Sequence, residues 1–284
     1  MDAPLVEVLP KILQYAAALI AVGVVVATRL VSGPGTPPIA PHRLQAIGRV
    51  AAALLVVAAL GRLLGHTVSA FGASDAFSAE SLRTIGFESR WGFGWRWQVL
   101  AAAALAVAAA VPARLPGRAV FFGAAVLAQV AAVPLLGHAA GEPSRVLLHA
   151  AHVVASGAWL GTLVVFVVAG LGRPGAPAHA GDADRALIAR FSPVALTCAT
   201  AVGASGLIAA SIYVGSLPAL VGSSYGRWLL AKITAVAAAG GCGFMNWRRS
   251  RAGLAPARGW LVAEALAALF VVAASAVVTE TEHP

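Results

Sequence analysis

Eight long apolar runs divide this chain, and they dictate what it can become. A helix needs about 20 mostly apolar residues to cross the hydrocarbon layer. Runs bounded by Pro, Gly and charge predict helices near 8–30, 43–66, 95–112, 119–137, 146–171, 187–213, 226–247 and 258–279. The 284 residues are 60% hydrophobic and 11% charged, whereas a soluble domain has about 25% charged residues. The expected fold is therefore all-α, a polytopic membrane bundle of eight helices forming one domain over residues 1–284. A soluble enzyme, a disordered chain and a disulfide-stapled secreted domain are all excluded by the same pattern. Cys198 and Cys242 lie inside apolar runs, so neither reads as half of a structural disulfide. Asp2 and Glu7 precede the first run where a signal peptide would be basic, which predicts a retained helix. The Ser-, Gly- and aromatic-rich stretch at 67–94 is expected to hold a short helical or re-entrant piece.

Eight spans put both termini on one side, and the net charge of +9 then becomes a topological signal. Twelve of the 20 Lys and Arg fall beside the loops after helices one, three, five and seven, among them the cluster Arg248, Arg249 and Arg251. Seven fall on the other side, and Lys232 lies within a span. Cytoplasmic loops retain Lys and Arg, so both termini are expected outside, in the periplasm. The basic cluster is read as an orientation signal, with no nucleic-acid partner.

The histidines sort by the same topology. His66, His138, His149, His152 and His283 fall on the outer side, while His42 and His179 sit beside inner loops. His149 and His152 are three apart on one helix, about 60° around its axis and about 4.5 Å along it, so both imidazoles share a face. Imidazole suits copper, zinc, iron and nickel, and such a pair needs further ligands from neighbours, for which His138 and His66 are the candidates. Trp159 lies two turns deeper on nearly the same stripe and is placed to floor the site. Neutral imidazoles bind metal, so affinity is expected to fall below about pH 6.5.

Gly137-His138-Ala139, His149-Ala150-Ala151-His152 and Ala158-Trp159-Leu160-Gly161 resemble the signature of the CopD-like copper resistance family of bacterial inner-membrane proteins. Phe191-Ser192, Gly206-Leu207, the run Tyr225 to Lys232, Asn246, Glu264 and the Gly94-Trp95-Arg96-Trp97-Gln98 segment agree with it. The resemblance spans the chain and is strongest over 134–284. It implies a multi-pass inner-membrane protein, not an enzyme, that handles copper, as Cu(I) or Cu(II), and works with a periplasmic copper carrier of the CopC type. Met1 and Met245 are the only methionines, so a methionine relay for Cu(I) is not available.

Lys232 and Glu264 are the ionisable residues expected at membrane depth, where such groups face the bundle interior. Their heights differ by about 15 Å at 1.5 Å per residue, which argues against direct pairing. Gln129, Thr197, Cys198, Thr200, Ser205 and Thr234 are candidates to line a route inward, with Cys198 reading chiefly as core. Trp91, Trp95 and Trp97 suggest an interfacial belt. Three functions fit these residues. The first is copper import or transfer through an outer histidine site. The second is a b-type haem electron-transfer protein, with His66 opposing His138 or His152. The third is a copper-binding sensor or scaffold without translocation.

Overall fold

The computed structural model of the protein describes residues 5–32, 39–112, 115–136, 141–172 and 178–281. All eight expected spans are present as helices long and apolar enough to cross a membrane. They are α1 (Leu5–Val31), α2 (Pro41–Phe71), α3 (Arg90–Ala110), α4 (Arg118–Leu136, ending in a 3-10 turn), α5 (Pro143–Ala169), α6 (Ala178–Tyr213), α7 (Ser224–Arg251) and α8 (Arg258–Val278). Hydropathy follows the bilayer rather than the helix, and the differences from expectation arise there. The second helix runs on past His66 until Gly72, at φ 79°, stops it. The sixth begins at Ala178 rather than 187, and its polar first turns hold Asp184, which accepts the Gly172 N–H at 2.9 Å. Between α2 and α3 lies a short helix, Ala79–Arg83, capped by the Ser78 hydroxyl, followed by a π turn over Thr84–Glu88.

Helices α1 to α4 form a ring in which α1 packs on α2 and α4, and α3 packs on the same two. Their inward stripes share one core that includes Ala17, Leu55, Leu105 and Val126. Helix α1 also packs on α5 and α8 and so joins the two halves of the molecule. Glycines permit this approach. A Cβ at Gly161 of α5 would collide with the Leu19 backbone of α1, and one at Gly23 would collide with Gly161 and Thr162. Small residues at helix contacts are the usual means of close packing in a bilayer. Helix α6 leans on α5 and α7 on α8. Only 11% of the most apolar stretch of α6 and of α7 is buried, against 39–56% in the other six helices.

The two faces of the bundle are finished differently. Where α3 and α5 end, arginines donate to the last carbonyls, which have no partner within their own helices. Arg43 reaches Ala169 O at 2.8 Å, Arg118 reaches Val111 O at 2.8 Å and Arg258 reaches Leu171 O at 3.2 Å. On the face carrying the start of α1, Lys11 pairs with Glu280 and His66 with Glu7 at 3.5 Å. Trp95 is buried there, and its indole N–H donates to Ala59 O at 2.8 Å. Of the three tryptophans expected to form a belt, it is instead a core tether.

Candidate functional site

Helix α5 is amphipathic in its first half and then passes through a π turn over Gly157–Gly161, which contains Trp159. Such turns concentrate at functional sites. His149 and His152 project from one face of its first turns toward α6. The His149 ring lies 6.2 Å from the ring of Tyr213, and His152 Nδ1 lies 2.8 Å from Ser205 Oγ. Gly206 keeps this seam open, since a Cβ there would stand 3.8 Å from His152 Cε1. Lys232 of α7 lies close enough for its charge to act on both imidazoles. The site therefore draws on α5, α6 and α7 at the height of the second to third turn from the face of the N-terminus.

Ser205 fixes which nitrogen of His152 can bind. Its hydroxyl lies 2.6 Å from Ala201 O and 3.2 Å from Val202 O; with its proton given to a carbonyl of its own helix, the oxygen accepts from His152. The network then places the ring hydrogen on Nδ1 and leaves the Nε2 lone pair free. That is the form of a metal-ligating imidazole, held by a second partner at its other nitrogen.

About two turns deeper on α5, roughly 10 Å along the axis, Trp159 is 4% exposed and its indole lies beside the Glu264 carboxyl of α8. Glu264, 3% exposed, faces Gly243 of α7, where a Cβ would come within 2.8 Å of its Oε1. Gly243 is eleven residues beyond Lys232, about 16 Å, so Lys232 and Glu264 stand apart, as expected. Cys198 packs on the edge of the core and is a free thiol.

His138 lies outside the described residues, as does His283. His66 stacks on Trp91, centroids 4.3 Å apart, and faces Glu7. Among the described residues, no three His, Cys, Asp or Glu side chains form a group that could hold a metal ion. Thr200 and Thr234 are exposed, and each donates to a carbonyl of its own helix at 3.0 Å. Gln129 belongs to the other half of the molecule. There Gln14, Arg62, Gln98 and Gln129, one from each helix of the α1–α4 ring, are at most 6% exposed. Arg62 donates to Gln14 at 3.3 Å, and the amides of Gln98 and Gln129 have no protein partner. Reading each run for hydropathy alone passed over this polar set. Its sequence signal is a Gln or Arg set among apolar neighbours in each of four successive spans.

Residues 1–145, just over half of the chain, match the family model described as copper resistance protein D-like, N-terminal domain, and residues 185–278 match that of copper resistance protein D. The chain belongs to the CopD-like copper resistance family. No curated protein and no solved structure matches it. In this CopD-like protein the second match contains Ser205, Lys232 and Glu264, the first contains His66 and the buried glutamines, and His149 and His152 lie between the two. With its eight spanning helices it is a multi-pass inner-membrane protein of copper resistance.

Proposed function

We propose that this CopD-like protein takes up copper at its periplasmic face through His149 and His152, with His138 as third ligand, and passes it inward between α5, α6, α7 and α8. The observation that carries this reading is the 2.8 Å contact of His152 Nδ1 with Ser205 Oγ, which occupies Nδ1 and leaves Nε2 as the nitrogen to meet a metal. The donor set fits copper as cargo, since neutral imidazoles bind copper strongly. Lys232 places a positive charge beside the entry site. It opposes a resident cation, as a site that must also release its metal requires. Glu264, beside Trp159, is the next acidic side chain inward. A periplasmic carrier of the CopC type is the natural donor to histidines at this level. The haem alternative draws no support from the arrangement, because His66 is held by Glu7 and Trp91 while His152 faces Ser205.

The deciding experiment is a metal assay with an optical spectrum on detergent-purified wild type beside His149→Ala/His152→Ala. Copper in the wild type, lost in the double variant and without a Soret band, is the expected result. A Soret band that disappears with the histidines, or equal copper in both proteins, overturns the reading.

A further inference from the structure

We infer that the face opposite the histidines carries a specific site for an anionic phospholipid, seated between α1, α2 and α4. A cavity of about 120 Å³ opens there. One water requires only about 10–15 Å³ measured in the same way, so the space exceeds what a single ion fills. Its floor is apolar, with Val24, Gly48 and Phe122 reaching about 10 Å into the spans from the end of α1. Its polar rim includes Arg29, Gln45 and Arg118, and among the described residues no acidic one lines it. Arg118 has its Nε engaged with Val111 O, which leaves its terminal nitrogens for a ligand, and Arg29 is exposed and donates no hydrogen bond among the described residues.

The helix ends add to this field. Both α2 and α4 begin at the cavity, and neither Ala40 nor Gly117 caps its helix with a side chain. Uncapped first-turn N–H groups and the positive end of the helix dipole favour an anion. A phosphate at the rim with its glycerol and first acyl carbons on the apolar floor satisfies both chemistries, and this is the layout of a membrane protein's basic pocket between helices. A zwitterionic lipid would bring its own cation to the two arginines.

The test uses the full-length protein, delipidated in detergent and titrated with phosphatidylglycerol or with phosphatidylcholine of the same acyl chains, and read by native mass spectrometry. Wild type should retain phosphatidylglycerol in preference. The preference should fall about fivefold in Arg29→Gln and about thirtyfold in Arg29→Gln/Arg118→Gln. Arg248→Gln/Arg251→Gln, which removes the same charge from the same face away from the cavity, should keep it. Arg29→Gln alters an exposed side chain without a hydrogen bond and so remains informative if the double variant misfolds. Equal retention of the two lipids, or an unchanged preference in Arg29→Gln, overturns the site. Displacement of the lipid by glycerol 3-phosphate at equal concentration would assign the cavity to a soluble phosphate ester and overturn the lipid.

Discussion

The Ser205 hydroxyl has one proton and two carbonyls of its own helix within reach, Ala201 O at 2.6 Å and Val202 O at 3.2 Å; with the proton given to either, the serine acts on His152 as an acceptor. Ser205→Ala frees the imidazole to rotate and to change tautomer while leaving both ligands in place. Copper affinity is expected to fall about 10–100-fold, the usual cost of losing a partner behind a ligand, with the thermal unfolding midpoint little changed. Competitive copper titration checks this, and an unchanged affinity would remove Ser205 from the site. Lys232→Met acts in the opposite direction. Removing a nearby positive charge should tighten copper binding about tenfold, since such a pair is worth ~1–2 kcal/mol at an effective dielectric near 20, and the same titration measures it. The pairing of His149 with His152 was legible in the sequence because helix geometry alone sets it. The role of Ser205 was not. Nothing local separates it from Ser211, whose hydroxyl simply donates to Ile208 O within α6. Only the packing of α6 on α5 selects one serine and leaves the other, just as only the packing of α1 on α2 places Glu7 against His66.

At the scale of the helix, the eight spans were readable because each apolar run is set by bilayer thickness, a constraint that acts within one segment. Which helices approach most closely was not readable. Gly157 and Gly161 are two of 30 glycines, and Gly203 and Gly240 also sit in spans, yet around those two a Cβ would meet nothing within 4 Å. At Gly157 a Cβ would meet the Val22 side chain at 2.6 Å, and at Gly161 it would run into the α1 backbone, which cannot swing aside as a side chain can. Gly161→Ala must therefore push α1 and α5 apart. The expected loss of stability is ~1–3 kcal/mol, as for overpacking a tight core, and the displacement also tilts the π turn that aims Trp159 at Glu264. Gly203→Ala, on an open helix surface, should instead be neutral or stabilising by up to ~1 kcal/mol. Thermal unfolding of the two variants in the same detergent separates them, and equal midpoints would contradict the close α1–α5 contact.

The molecule as a whole has one face rich in arginine, and two forces put arginines there. Arg43, Arg118 and Arg258 close the carbonyl ends of helices, a structural need that exists whichever way the protein sits. Arg29 and Arg248 donate no hydrogen bond among the described residues, so no helix end calls for them, and the tendency of cytoplasmic loops to retain such charges makes them evidence for orientation. On this ground we propose that both termini face the periplasm, together with His149 and His152, which lie near the start of α5 on the same face as the start of α1. Alkaline phosphatase, which folds actively only in the periplasm, tests this directly. Fused after Pro284 it should be active, and fused after Leu254, between α7 and α8, it should be inactive. The reverse pattern would place the histidine pair on the cytoplasmic side. A periplasmic carrier would then have no access to it, and the same imidazoles would have to be read as the receiving end of copper leaving the cytoplasm.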